Sequence, residues 1–231
     1  MATVALKDLL VIWDVDGTLL DARGSGHRAL ARAITAVTGR PASLANLDVA
    51  GQSDRLLLEL ALRQSGASQR HWQAVRDAYE TFLDAELAAS GSFALPGVVQ
   101  ALSLLGPARV LGTGNLEVGA RLKMEHAGLW QHFQGGGFGD RHRSRPPLIR
   151  DAVQVGRRLF GRGLVPVIIG DTPRDAAAAQ ALNMPAVLVA SGRFSVDQLT
   201  AHGPIVLPGL EDPDAVLRAF SEAAASARRG G

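Results

Sequence analysis

The chain contains no cysteine, which excludes disulfides and thiolate-bound metals. Lysine is nearly missing as well: Lys7 and Lys123 are the only two in 231 residues. The high isoelectric point therefore comes from arginine. With a formal charge of only +2, that usage reflects genome composition rather than a nucleic-acid partner. One basic cluster, Arg141-His142-Arg143-Ser144-Arg145, reads either as a local anion site or as a solvated loop. It carries no interleaved aromatic residues, which argues against single-stranded nucleic acid. Long apolar runs are absent too. The N-terminal run Leu9–Trp13 ends at Asp14, too short for a signal peptide or a bilayer span of ~20 residues. The expectation is a cytoplasmic protein with no membrane and no nucleic-acid partner.

Hydrophobic residues make up 47% and charged residues 20%, the balance of a soluble globular protein with an ample core. Strand-like apolar runs recur at Leu9–Trp13, Arg109–Gly112, Val165–Ile169, Ala186–Val189 and Ile205–Leu207. Amphipathic stretches at about 97–105, 116–128, 147–160 and 173–182 separate them. Continuous apolar strands alternating with helices predict a parallel sheet covered on both faces, an α/β fold. About ninety residues separate the first two strands, and Arg28–Val37, Asp54–Gln64 and Arg70–Ala89 within them read as helices. A block that long is an inserted helical module, in which Leu56, Leu57, Leu60 and Ala61 have the spacing of a packed face. Pro96-Gly97 marks the return to the core, and Ala223–Gly231 reads as a frayed tail.

Parallel sheets place their sites at the carboxyl ends of the strands. The first strand ends in Asp14 and Asp16, which share a face if the chain stays extended, with Gly17 bending it at once. The second ends in Thr113-Gly114-Asn115 and the third in Gly170-Asp171-Thr172-Pro173-Arg174-Asp175. Three carboxylates converging on one rim repel unless a cation lies among them. An oxygen-only donor set suits a hard ion, Mg²⁺ where phosphate is also bound. The Thr113 hydroxyl and the Gly114 and Asn115 amides stand at a helix start, where anions are favoured; Asn115 alternatively caps that helix. Asp175 is either a metal or supporting ligand or a first-turn helix acid.

These residues resemble the haloacid dehalogenase superfamily of hydrolases. Asp14-Val15-Asp16-Gly17-Thr18 matches its D-x-D-G-T motif, Thr113 its second motif, and Gly170 to Asp175 its G-D-x-x-x-D motif. The order and spacing agree over about residues 8–220. The insertion resembles that of the phosphoglycolate-phosphatase-like branch. The resemblance implies a Rossmann-like doubly wound core of residues 1–21 and 93–225, a helical cap of residues 22–92, and a disordered tail of 226–231. It implies that Asp14 is a nucleophile forming an aspartyl-phosphate and Asp16 the acid and base. Asp14, the Asp16 carbonyl and Asp171 would hold Mg²⁺, with Asp175 beside them, while Thr113, Gly114 and Asn115 bind phosphate.

The third motif departs from the family. Its usual lysine-proline is here Arg145-Pro146-Pro147, and an arginine can grip phosphate with a permanent charge. Lys123 is the rival, since it can lean back toward the start of its helix; Arg145 is favoured. Arg23, Ser25, His27 and Arg55 are the polar candidates near the ends of the cap, with Arg55 a substrate contact, although each also reads as a surface or capping residue. Asp54 reads as a helix-starting acid. Asp16 tells against carbon–halogen cleavage, because dehalogenases resemble D-x-Y there. The absence of lysine between Lys7 and Lys123 tells against phosphonate hydrolysis through an imine. The expected activity is Mg²⁺-dependent hydrolysis of a small phosphorylated metabolite by a monomer or homodimer. A sugar-phosphate phosphomutase is the alternative, and a non-catalytic binding protein the reading from another class.

Overall fold

The computed structural model describes residues 6–45 and 47–227. Its strands are β1 (Leu9–Trp13), β2 (Leu20–Asp21), β3 (Phe93–Ala94), β4 (Arg109–Gly112), β5 (Gly136–Gly137), β6 (Val165–Gly170), β7 (Ala186–Val189) and β8 (Val206–Leu207). The helices are α1 (Ser25–Thr38), α2 (Asp54–Gln64), α3 (Trp72–Ser90), α4 (Val98–Leu104), α5 (Glu117–His126), α6 (Arg145–Phe160), α7 (Pro173–Ala181), α8 (Val196–Thr200) and α9 (Pro213–Ala227).

All five residues of β1 are buried, so the strand needs a partner on each edge and cover on each face. It lies between β4 and β6 in a parallel sheet of order β5-β4-β1-β6-β7-β8. Leu9, Val11 and Trp13 point to one face, where α9 contributes Val216 and Phe220 and α5 contributes Ala120 and Met124. Leu10 and Ile12 point to the other, against Leu148, Ile149 and Ala152 of α6 and Ala178 of α7. The period of two thus divides one apolar run between two helical layers. The register pairs Trp13 with Ile169 and with Leu111, which sets three strand ends level at one edge of the sheet.

Helices α1, α2 and α3 occupy the segment between β2 and β3, and β2 and β3 pair antiparallel, Leu20 with Ala94 and Asp21 with Phe93. The chain therefore leaves and re-enters the sheet region at one ribbon. On α2 the buried apolar residues are Leu57, Leu58, Ala61 and Leu62, so Leu58 and Leu62 replace the expected Leu56 and Leu60. The shift accompanies burial of Glu59, which pairs with Arg55 at 3.2 Å and Arg143 at 2.7 Å. Two further expectations need correction. β5 carries no apolar signal, being two glycines, and was not expected as a strand. The supposed tail is helical through Ala227, with Ala223 and Ala224 buried in the core; residues 228–231 lie outside the described residues. Among the described residues, no helix is long and apolar enough to cross a membrane.

Gly97, at the start of α4, has φ +76°, and a Cβ there would overlap the Leu210 carbonyl. Gly106 has φ +79° with open space around it. Gly97→Ala should cost more than the ~1–3 kcal/mol of backbone strain alone, and Gly106→Ala no more than that strain. Equal losses on urea denaturation would show that the overlap is relieved by a small shift.

Candidate active site

The site is built at the level strand ends. The Asp14 amide donates to Ile169 O at 3.0 Å, and Gly17 (φ +79°) turns the chain so that its own amide reaches Leu20 O at 2.9 Å. A Cβ at Gly17 would overlap the Asp171 carboxylate. The Thr18 hydroxyl, in the same turn, donates to Asp171 Oδ1 at 3.3 Å. After β6 the chain enters α7, whose Asp175 accepts from the Thr172 amide at 3.1 Å and hydroxyl at 2.7 Å. Asp175 is thus both a helix-capping acid and a member of the site. One oxygen from each of Asp14, Asp171 and Asp175 lies within 4.8 Å of the others, and all three residues are buried. Arg145, the first residue of α6 and itself buried, meets Asp14 through Nη2 and Asp175 through Nε at 2.7 Å. Its Nη1 donates to Gly51 O at 3.2 Å.

Asp16 departs from the expectation of two acids on one face. The turn at Gly17 ends the extended geometry, and its carboxylate joins another cluster. Lys123 Nζ lies 2.9 and 2.7 Å from its two oxygens, and Asn115 Nδ2 donates to it at 2.7 Å. Lys123 also donates to Asn115 Oδ1 at 2.6 Å, and Asn115 Nδ2 to Thr113 Oγ1 at 2.8 Å. Asn115 is therefore not a helix cap. Of the Gly114 and Asn115 amides expected to receive an anion, that of Asn115 donates to Thr113 Oγ1 at 3.3 Å; the next two amides, of Leu116 and Glu117, donate to Asp54 at 2.9 Å and to Asp140 at 2.8 Å. Both cations proposed for the third motif reach the site, one in each cluster.

Burial pushes the Asp14 carboxyl up to about 6 against the pull of Arg145, with Asp175 adding to the rise. Burial, then the charges of Asp14 and Asp175, pushes Asp171 up to about 8. Burial alone would raise Asp16 as well, but Lys123 and Asn115 hold it below the usual carboxylate range. The Arg145 guanidinium is held charged: its acidic neighbours outweigh the burial that opposes its charge. Three clustered carboxylates facing one guanidinium leave net negative charge in a buried site. Their oxygen-only donor set fits a hard divalent cation.

Asp14, Asp171 and Arg145 of one cluster and Asp16, Lys123, Asn115 and Thr113 of the other line one cavity of about 270 Å³, together with Gly114, His27 and Asp54, while Asp175 lies behind its wall. Of the polar candidates near the ends of the helical segment, His27 lines this cavity, while Arg23 stacks on Phe93 and Ser25 bonds Ala22 and Ser90. Arg55 does not line it: it is held by Glu59, the Asp140 carbonyl and the Trp72 ring, away from the acids. The Arg141–Arg145 cluster is no single anion site, because His142 pairs with Asp151 and Arg143 with Glu59. The sequence reading missed Asp54 and Arg193 as cavity residues. Asp54 does open α2 after the capping Ser53, and that local role masked its reach to Leu116; Arg193 sits on a loop with no motif around it.

The haloacid dehalogenase-like hydrolase family model matches residues 11–180, and a second, HAD-hydrolase-like model matches 146–223. A phosphoglycolate phosphatase of Agrobacterium fabrum is 25% identical over 204 residues, 86% of this chain and 87% of that protein. A hydrolase from Pseudomonas syringae shares the fold at TM-score 0.68 and 21% identity, covering 93% of this chain and 98% of its own. CbbY from Rhodobacter sphaeroides, solved in complex with phosphate, does so at TM-score 0.70 and 15% identity, covering 87% and 94%. So does a beta-phosphoglucomutase from Clostridium difficile, at TM-score 0.70 and 15% identity, covering 93% and 97%.

The acidic cluster generates a stability prediction. Asp171 holds its proton more tightly in the folded chain than in the unfolded one. Folding therefore loses stability as pH rises from the ordinary carboxylate range through about 8. Asp171→Asn keeps an oxygen for Thr18 and removes that charge. In metal-free buffer at pH 8 it should raise the thermal midpoint by several degrees and remove any stabilisation by added Mg²⁺. A lower midpoint would show that the cluster is not under electrostatic strain.

Proposed function

Starting from a chain that belongs to the haloacid dehalogenase-like hydrolase family, we propose that it hydrolyses a small phosphate monoester through an aspartyl-phosphate on Asp14, with Mg²⁺ as cofactor. The observation that carries this reading is the pair of clusters flanking one cavity: Asp14 with Asp171, Asp175 and Arg145, opposite Asp16 with Lys123, Asn115 and Thr113. Asp14, Asp171 and Asp175 are the side chains that would hold the cation. When bound, it neutralises the repulsion between the acids and an incoming phosphate.

In the first step an Asp14 oxygen attacks phosphorus, the ester P–O bond breaks, and the leaving alkoxide takes the proton carried by Asp16. In the second, Asp16 removes a proton from water, the water oxygen attacks phosphorus, and inorganic phosphate leaves Asp14 free. The low proton affinity of Asp16 beside Lys123 suits the second step, since the carboxylate is ready to accept. The first step requires that the negative charge of the entering ester offset Lys123, so that Asp16 takes up the proton it then gives to the alkoxide. Arg145 places a permanent charge against Asp14 and, when phosphate enters, within reach of its oxygens. Thr113 and Asn115 supply donors on the opposite wall. A cavity of about 270 Å³ has room for the phosphoryl end of a small ester. The helical segment 22–92 acts as a cap over the core of 1–21 and 93–225, and reaches the cavity through His27 and Asp54.

Phosphate release from a panel of small phosphate esters, with and without Mg²⁺, tests the reading. Turnover should require Mg²⁺, and Asp14→Asn should abolish it while circular dichroism stays unchanged. Undiminished turnover in that variant would sink the nucleophile assignment, and transfer between two positions of a sugar phosphate without release would favour a mutase.

Arg145→Ala should lower kcat by roughly 10²–10³-fold, more than Lys123→Ala does; the reverse order would make Lys123 the principal cation. With Lys123 replaced by Met, burial is left to raise Asp16, so its proton is lost at higher pH. The acidic limb of the kcat profile should then move to higher pH. A limb that stays in place would remove Asp16 as the base.

A further inference from the structure

A second, larger cleft of about 960 Å³ lies on the far side of the α2 and α5 starts from the catalytic cavity. One wall belongs to the helical segment, with Arg55 on α2, Arg70 in the turn before α3, and Trp72 and Arg76 on α3. The other belongs to the core, with Arg141 after β5 and Arg158 on α6. Five guanidiniums therefore face three carboxylates, and two of these are engaged. Asp140 binds Arg76 at 3.4 Å and the Glu117 amide at 2.8 Å, and Asp151 binds His142 at 2.7 Å. Arg70, Arg141 and Arg158 are exposed, and their guanidiniums have no hydrogen bond, ion pair or ring contact among the described residues. Three free cations from three separate elements thus converge on one concave space.

We propose that this cleft binds a small polyphosphate anion. A single phosphate engages one or two guanidiniums, whereas free arginines on both walls call for several anionic groups along one molecule. The volume is at the upper end of small-molecule sites, roughly 300–1,000 Å³. Trp72, half-buried with Arg55 5.6 Å from its ring centre, adds a flat apolar surface on which an aromatic ring can stack. A nucleoside triphosphate supplies both the charges and the ring, while inorganic tripolyphosphate supplies the charges alone. The site is distinct from the proposed catalytic one. Asp54 faces that cavity and Arg55, the next residue, faces this cleft.

Calorimetric titration of the full chain in EDTA, with tripolyphosphate and separately with adenosine triphosphate, tests the proposal. Without a cation the buried acids of the catalytic cavity repel a polyanion, so the heat reports the cleft. Tripolyphosphate should bind at one per chain, and Arg141→Ala with Arg158→Ala should weaken it at least tenfold. Both residues are exposed, so the fold should be unchanged by circular dichroism. Arg193→Ala, at the mouth of the catalytic cavity, should leave binding as it is. Tighter binding of adenosine triphosphate, lost in Trp72→Leu, would support the proposal with a nucleotide as occupant; equal affinity would support it with the polyphosphate chain alone. No binding of either probe, or binding abolished by Arg193→Ala and indifferent to the double variant, overturns it. Mg²⁺-dependent phosphate release is measured independently, so failure here leaves the hydrolase reading intact.

Discussion

Three carboxylates held within 4.8 Å of one another in a buried site, with one guanidinium against two of them, are the constraint around which this edge of the molecule is arranged. Such a cluster forms only if the backbone brings the acids close and the surroundings satisfy their remaining lone pairs. The glycines are where the first demand is met. A Cβ at Gly17 or Gly192 would overlap Asp171, and one at Gly170 would overlap Asp175. Thr18 and Thr172 meet the second by donating hydroxyls. What the fold leaves unmet is charge, visible as the rise of Asp14 and Asp171. A hard cation placed among these acids would favour their ionised forms and release protons.

Positive charge is divided according to the acids it faces. Arg145 serves two carboxylates that lie in different directions, Asp14 and Asp175, and also reaches Gly51 O. A planar fork of five donors can do this, and an ammonium at one point cannot. Lys123 serves Asp16 and Asn115, which lie close enough for a single compact cation. The two clusters face one cavity but have opposite consequences. Burial outweighs Arg145 at Asp14, and Lys123 outweighs burial at Asp16. Neighbouring aspartates of one short motif thereby acquire different proton affinities.

Most of this arrangement was legible because strand ends in a parallel sheet carry the site, and the strands themselves are short apolar runs. The bounds of β1, β4 and β7 match the apolar runs residue for residue; β1 stops at Asp14 and β4 at Thr113, where polar side chains end the buried run. Asp14, Asp171, Asp175 and Thr113 were expected at one rim by the same logic, and Arg145 through the resemblance to the family's third motif. The illegible parts are those whose meaning lies across the fold. Gly136 and Gly137 form a strand because only glycine fits there. A Cβ on Gly136 would overlap Leu111 O, and one on Gly137 would overlap Leu148 O. Nothing in a glycine pair announces that. Asp54 reads locally as a helix-starting acid, and its bond to Leu116, 62 residues on, has no local sign. Arg55 was placed at the substrate for its charge, which Glu59 one helical turn later already engages.

The segment from Asp48 to Arg55 joins these observations into one device. Arg174 holds Asp48 at 2.6 Å and also the Ala50 carbonyl, Arg145 holds Gly51 O, and Asp54 binds the start of α5 through both its amide and its carboxylate. Gly114 is glycine because a Cβ there would overlap Gln52 O, so the segment lies directly on the β4 strand end. The helical insertion is thus fastened to the core through the same residues that surround the acids, Arg145 foremost. An anion that draws Arg145 toward itself must compete with the carbonyl of Gly51. One guanidinium, that of Arg145, thus contacts both this segment and the buried acids.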